Sequence, residues 1–467
     1  MKSIPGPKTP SFLQSLQWVF DPVSYLKSTH NRYPDIFMTR NLGLGSPTSV
    51  LVSHPQALQQ LFTSDRKQFS VPVEFNRILQ PLIGEFSIFL IGGNLHAKRR
   101  QLVMPSFHGD RIRAYGELIY RITEQVMDQL PPGKSFLALD VMQAISLEVI
   151  IKAVFGISKG ERYLLLKQNI LSLTEPASSP LTSALIFFPN LLQNDWGSWS
   201  PWGRFLKRRQ QTDDLIYAEI AERRANPDPN RTDILALLMR SRDEQGQALS
   251  DQELRDELMT LLLAGYETTA TAITWGLYWM HRLPNVKEKL LNELNSLGDF
   301  TSPLEISRLP YLSAFCQETL RICPVAMITF PRISCEPVKI LGYPIEPGTI
   351  IAGCIYLTHH REDLYPNSSE FRPERFLERQ YSPYEFIAFG GGSRRCVGDA
   401  LAQFEMMLIL ATIACRYQLA LADLRPEKLH RRGLALAPSR GVKMVMQKKT
   451  KRDDSVERTL ALFHHSE

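Results

Sequence analysis

Residues Phe389–Tyr417 read FGGGSRRCVGDALAQFEMMLILATIACRY, a glycine-rich loop with one cysteine that runs straight into an apolar helical stretch. Three glycines precede Cys396, and Gly398 follows it just before the helix begins. A cysteine at that junction faces free backbone N–H groups and the positive end of the helix dipole, which favours its thiolate. Gly390, Gly392 and Gly398 let the backbone approach a flat ligand closely or adopt positive φ. One thiolate with no second cysteine or nearby histidine is wrong for tetrahedral zinc and suits a single axial bond to haem iron. Other readings compete on this segment alone. GGGSRR could be a phosphate-binding nest, although the lysine-serine ending of a P-loop is missing. Cys396 could also be an inert core thiol. As a nucleophile it would want a positioned histidine base, and none stands out.

The longest helix is the best signposted. Ser250 with Glu253 forms a capping box, and helical character continues to about Arg282, ahead of Pro284. About 32 residues at 1.5 Å each span roughly 48 Å, so this helix must cross the whole molecule. Its centre, TLLLAGYETTATAITW, interrupts an apolar wall with Gly265, Glu267, Thr268 and Thr269. Polar groups there are destabilising unless partnered. A Thr268 hydroxyl can bond back to the carbonyl of Ala264 and loosen that turn, although such a bond is also ordinary helix chemistry.

Around these segments the chain is helix-rich with small β-prone pieces. Asp140–Val154 has the spacing of a buried-face helix, and further helices are expected near 285–296, 310–322 and 398–416. Thr48–Val52, Ile333, Val338–Ile340 and Ile350–Tyr356 read as β-prone, and 359–395 as a long irregular stretch. Pro5, Pro7 and Pro10 make the opening rigid and non-helical. LTSALIFFPNLL at 181–192 is an apolar patch that reads as a pocket lid, a peripheral membrane contact or plain helix packing.

The length of 467 residues suggests about three units of ordinary domain size, but no linker separates them and no repeat appears. We expect one domain over 1–467, with a proline-rich lead at 1–10 and a flexible tail at 448–467. An apolar fraction of 44% and a charged fraction of 22% belong to a packed globular chain. The six cysteines, at 316, 323, 335, 354, 396 and 415, exclude a disulfide framework and a paired CxxC zinc motif. A net charge of +6, from 54 basic and 48 acidic residues, is poor support for nucleic-acid binding. No run of apolar residues is long enough for a membrane span, and the N-terminus lacks a secretory pattern, so a complete cytoplasmic chain is expected.

Phe389, Gly390, Gly392, Arg394, Cys396 and Gly398 fill every fixed position of FGxGxRxCxG, the haem-binding signature of the cytochrome P450 superfamily, which this chain resembles. Four further segments match family elements in the right order. Ala264–Thr269 resembles the oxygen-activation motif, Glu318-Thr319-Leu320-Arg321 the ExxR element, Phe371–Phe376 the PERF element, and Gly93–Phe107 the segment that packs over the haem propionates. The resemblance covers about 93–404 and is similar to soluble bacterial, especially cyanobacterial, members related to fatty-acid hydroxylases. His96 stands where tryptophan is common, a mild departure because an imidazole N–H also donates to a carboxylate.

The resemblance implies a mainly α fold with small β-sheets, a triangular helix-rich prism whose long central helix crosses over haem b. It implies Cys396 as axial ligand, Phe389, Gly390 and Ala264 against the haem, and His96, Arg100, Arg332 and Arg394 as propionate partners. Lys98, Arg99 and Arg395 are then expected to face solvent. Glu318 and Arg321 would be a weak surface pair in isolation. The family makes them, with Arg375, a buried network that holds the cysteine loop. Thr268 and Glu267 become the alcohol and acid of proton delivery in an O2-dependent monooxygenase. A non-catalytic haem-thiolate sensor would need Cys396 but neither of those two. The chain is too short for a fused reductase, so electrons are expected from a ferredoxin or flavodoxin-type donor, fed by NAD(P)H or photosynthetic electron transfer. The pocket is expected along Val71–Leu90, 181–192, Leu261–Thr268 and Pro324–Phe330, with Arg77 as a conceivable carboxylate contact. Those stretches are mostly apolar and favour a long aliphatic substrate, a fatty acid first and a sesquiterpene second, handled by a monomer.

Overall fold

The computed structural model describes residues 3–40, 48–72, 79–107, 109–157, 159–174, 197, 199–298 and 302–449. Arg77, the patch at 181–192 and the tail beyond 449 lie outside the described residues.

The capping box sets the start of the central helix. The Ser250 hydroxyl accepts the N–H of Glu253 at 3.2 Å, and the Glu253 carboxylate accepts the N–H of Ser250 at 2.9 Å. The helix then runs from Asp251 to Arg282, 32 residues, with acids in its first turn and His281 and Arg282 in its last, as the macrodipole favours. Leu283 is extended ahead of Pro284, and the helix ends there. Most of its length is buried against the helices Ala138–Phe155, Pro310–Ile322 and Asp399–Arg416. Two glycines permit that close packing. A Cβ built on Gly265 would lie 2.9 Å from Cδ1 of Ile150, and one on Gly276 would lie 2.9 Å from Cδ1 of Leu410. Fully buried Leu, Ile and Phe side chains along these contacts each contribute about 1.5–3 kcal/mol. The central helix is therefore fixed on several sides at once.

The strands are short and lie at the margins of this helical body. The largest sheet has the order Ile36–Arg40, Thr48–Val52, Ile350–Gly353, Arg332–Ser334, Phe69–Ser70. Thr48–Val52 pairs with Ile350–Gly353 in parallel, Ser49 opposite Ile350, and the other neighbours are antiparallel. The β-prone reading of Ile350–Tyr356 stops at Gly353, because Ile355–His359 turns into a short helix whose residues are all buried. Strands after residue 416 went unforeseen. Tyr417–Leu421, Lys443–Lys449 and Ser135–Leu137 form a second sheet, and Leu429–Arg432 with Ala435–Pro438 forms a hairpin. Lys448 and Lys449, expected at the head of the tail, pair with Gln418 and Tyr417. Residues 3–10 are free of helix, and the carbonyl of Pro5 accepts the N–H of Met38 at 2.7 Å. Among the described residues no helix is long and apolar enough to cross a membrane.

Candidate functional site

The cysteine loop closes on itself through the Cys396 N–H, which donates to the Phe389 carbonyl at 3.0 Å. Gly390 and Gly392 take the left-handed φ values of 70° and 66° that the turn requires. Asp65 ties the loop down from outside. Its carboxylate accepts the Ser393 N–H at 2.9 Å and the Ser393 hydroxyl at 2.7 Å, and both its oxygens accept from Arg332 at 2.9 Å. Cys396 lies deep in the protein, and its exposed surface opens into an internal cavity. The helix that follows starts at Asp399, as the sequence suggests. Burial pushes the Cys396 thiol up to about 11, and the hydrogen bond from the Gly398 backbone is too weak a counterweight.

Behind the loop stands a buried ionic network. Arg321 donates to both oxygens of Glu318, at 2.6 and 2.8 Å, and Arg375 adds a third bond at 3.1 Å. The Arg372 N–H completes the set at 2.8 Å. Glu318 and Arg321 are both at 0% exposure, so this is no surface pair. Arg321 also donates to the carbonyl of His359 at 2.7 Å, and the His359 Nε2 accepts the N–H of Ile387 at 2.9 Å. By that route the network reaches the strand of chain that turns into Phe389 and Gly390. The expected triad of Glu318, Arg321 and Arg375 is present.

The cavity itself has a volume near 320 Å³ and lies between the cysteine loop and the central helix. Phe389, Gly390, Cys396, Ala264 and Thr268 all line it. So do His96, Arg100 and Arg394, and the two arginines gather positive charge at one rim. Burial together with Arg394, Arg100 and Arg66 holds His96 down to about 3, while burial and Arg332 lower Arg394 to about 9. Arg394 donates to the carbonyls of Ile88 and Ile91, and its Nε is buried without a partner. Arg100 donates to the carbonyl of Arg395 at 2.6 Å.

Thr268 is exposed although it sits in the middle of a buried helix, because its side chain opens into the cavity. Its hydroxyl donates to the Ala264 carbonyl at 2.6 Å, the back-bond expected from the sequence. Glu267 departs from expectation. It is absent from the cavity wall and receives Arg432 at 3.3 Å, since the residue next to Thr268 is turned about 100° around the helix. Burial raises the Glu267 carboxyl above its ordinary value, against the pull of Arg432.

Two arginines also correct the sequence reading. Arg332 does not line the cavity. Its guanidinium is fully engaged by Asp65, the carbonyl of Phe330 at 2.7 Å and the carbonyl of Gly391 at 3.2 Å. Arg99, expected in solvent, is buried and donates to Glu253 at 2.6 Å and to the carbonyl of Phe86 at 3.1 Å. Lys98 and Arg395 do reach the surface, paired with Asp243 and Asp399. Asp65 was missed because nothing local marks it. Glu405 was missed although an acid inside the apolar run FEMMLIL is a readable signal. It lines the cavity from the helix after Cys396, accepts the Ser146 hydroxyl at 2.7 Å, and is pushed up to about 8 by burial.

The family profile for cytochrome P450 matches residues 4–445, and the chain belongs to that family. Cytochrome P450 135B1 of Mycobacterium tuberculosis is 33% identical over 443 residues, covering 94% of this chain and 90% of the relative. Cytochrome P450 138 of the same organism is also 33% identical, over 450 residues, covering 95% and 96%. Among solved structures, the retinoic acid-bound cyanobacterial CYP120A1 matches with a TM-score of 0.83 at 22% identity, covering 96% of this chain and all of the other. The haem domain of cytochrome P450DA gives 0.82 at 20% identity, covering 97% and 98%. The helical P450 fold is thereby shown, and the protein is a haem-thiolate monooxygenase, an oxidoreductase. The cavity fits the family's haem b. It offers one thiol, an apolar slot, and a cationic rim where a buried guanidinium Nε awaits an acceptor, as two propionates require.

Two outcomes follow from this site. Glu318→Ala removes the shared acceptor of two buried guanidinium groups and is expected to cost about 3–5 kcal/mol. Soluble yield and haem occupancy should both collapse, and normal occupancy would show that the loop stands without the network. Glu405→Gln tests the buried acid. A folded value near 8, above the unfolded one, means that the neutral acid stabilises the fold below about pH 4.5 and that this contribution is lost as pH rises toward 8. The amide keeps the Ser146 bond, so the stability of Glu405→Gln relative to the parent should grow between pH 5.5 and 8.5 in thermal melts. A difference that does not change with pH would refute it.

Proposed function

We propose that this enzyme hydroxylates long-chain fatty acids, with Cys396 as the axial thiolate and a separate ferredoxin or flavodoxin-type protein as electron donor. The observation that carries the substrate class is the segregation of charge around the cavity. Apart from Cys396, the ionisable side chains that line it, His96, Arg100, Arg394, Arg395 and Glu405, belong to the helix Gly93–Val103, the cysteine loop and the helix after it. The rest of the wall, including Ile150, Leu261, Val325, Ile328 and Phe330, is apolar apart from threonine hydroxyls. Such a wall stabilises a long alkyl chain at about 25 cal/mol per Å² buried. A sesquiterpene hydrocarbon is the second reading, favoured by the same absence of a cation from that wall among the described residues. The CYP120A1 structure is described as retinoic acid-bound, so another protein of this fold takes an apolar acid.

When bound, haem supplies oxygen activation and electron transfer. The chain supplies position and protons. His96, Arg100 and the free Nε of Arg394 would hold its propionates. The Thr268 hydroxyl gives its own proton to the Ala264 carbonyl, so its oxygen is free to accept a water and fix it over the cavity. Glu267 is paired with Arg432 and serves proton supply only when that pair opens. Arg395 and Lys98, exposed on the cysteine side, are suited to an acidic electron carrier.

Titration of the ferric protein with palmitic acid and with farnesene, followed by absorbance, tests the substrate. A saturating low-spin to high-spin shift with palmitic acid is expected. A shift with farnesene alone would move the assignment to the second reading, and no shift with either would overturn both. Thr268→Ala should keep oxidising NADPH while product per NADPH falls roughly tenfold or more, the scale of a lost proton-delivery group, with peroxide released instead. Unchanged coupling would remove Thr268 from the mechanism.

A further inference from the structure

Ile88 and Phe89 form part of the cavity wall, and the residues just before them, Gly84 and Glu85, line a second space on the outside. That outer crevice is polar, near 550 Å³, and carries Arg209, Asp213, Arg255 and Asp256. Residues 84–89 thus form a short partition whose first residues face the charged crevice and whose last face the apolar cavity. The segment has no sheet neighbour to hold it, and between short backbone turns at Gly84 and Ser87 several of its backbone groups turn to side chains. The Phe86 N–H donates to Asp256 at 2.9 Å and the Ile88 N–H to Glu257 at 3.3 Å. The Ser87 and Thr260 hydroxyls share a bond of 2.7 Å. These acceptors stand within the first turns of the central helix and are held in turn, Asp256 by Arg255 at 2.9 Å and Glu257 by Arg99 at 3.5 Å. Gly84, at φ 84°, passes so close that an added Cβ would fall 2.0 Å from Oδ1 of Asp256. At the other end of the partition Phe89 meets Phe330 with ring centroids 5.0 Å apart.

We propose that Asp256 and Thr260 are positioning residues that latch this partition to the central helix and thereby decide which bulky ligands the cavity admits. Asp256 faces the outer crevice and Thr260 borders the cavity, and neither is a propionate partner or part of proton delivery. Asp256 fixes the backbone at Phe86, Thr260 fixes the next side chain, and together they set the height of Ile88 and Phe89 over the cavity. Loss of the latch loosens the wall at Phe86 and Ser87, while Arg99 still donates to the carbonyl of Phe86 at 3.1 Å and Arg394 to that of Ile88 at 2.7 Å.

The test uses the holoprotein of Asp256→Ala, Asp256→Asn and Thr260→Val, with two readouts. The first is amide hydrogen exchange at Phe86 and Ile88. The second is the ratio of affinities for 4-phenylimidazole and imidazole, both of which bind iron through nitrogen while only the larger reaches the wall. Asp256→Ala should speed exchange at least roughly tenfold, as expected for losing a hydrogen bond to a charged group. It should also change the affinity ratio severalfold, and Asp256→Asn, whose carbonyl still accepts the Phe86 N–H, should restore both. Unchanged exchange, or equal shifts for the two azoles, would overturn the proposal. If Asp256→Ala fails to fold, Thr260→Val is judged by the same two readouts. The azole ratio rests on the haem reading and the exchange does not, so failure of one is distinguishable from failure of the other.

Discussion

Glu318 is a carboxylate without access to solvent, and taking such a charge out of water costs several kcal/mol unless partners compensate. Here two guanidinium groups and a backbone N–H surround it. What this arrangement organises is a long segment that has almost no ladder or helix of its own, from about His359 to Cys396. Such a segment ordinarily pays full backbone entropy without the return of regular hydrogen bonding. The planar forks of Arg321 and Arg375 supply that return, accepting no proton and donating to the carbonyls of His359, Pro366 and Glu370. A lysine at either position would offer one point charge and could not reach several carbonyls at fixed angles.

The same segment meets a second anchor at its far end. Asp65, on the chain between a helix and the edge strand Phe69–Ser70, binds Arg332 and Ser393 together. Cys396 is therefore suspended between two buried carboxylates, one on each side of its loop. The consequence is electrostatic as well as mechanical. Arg332 is neutralised by Asp65, whereas Arg394 and Arg100 bond only carbonyls at the cavity rim and keep their charge unmatched. Positive potential is left where an anionic group can use it and is removed where it cannot.

How much of this the sequence discloses depends on distance along the chain. The central helix, its capping box and the Thr268 back-bond were legible because every partner lies within four residues. The cysteine loop was legible because its glycines and arginines form one continuous motif. Arg99 and Arg100 show the limit. They are neighbours of the same type, yet one is buried among Phe86 and Glu253 and the other lines the cavity. Only the position of the central helix, more than 150 residues away in the chain, separates them. Arg332 was misread for the same reason, since Asp65 lies 267 residues from it. The strands after residue 416 were hidden differently. Their partners, Ser135–Leu137 among them, are short pieces without a clean alternation of their own.

The cysteine is where the local and the global readings conflict, and the conflict has a chemical meaning. Locally, a helix N-terminus and a free N–H favour the thiolate by something under 2 kcal/mol. Globally, burial opposes that and pushes the thiol up to about 11. The charge of a bound metal ion settles the balance, because a coordinating thiol is deprotonated outright. The left-handed turns at Gly390 and Gly392 bring that cysteine to the cavity wall.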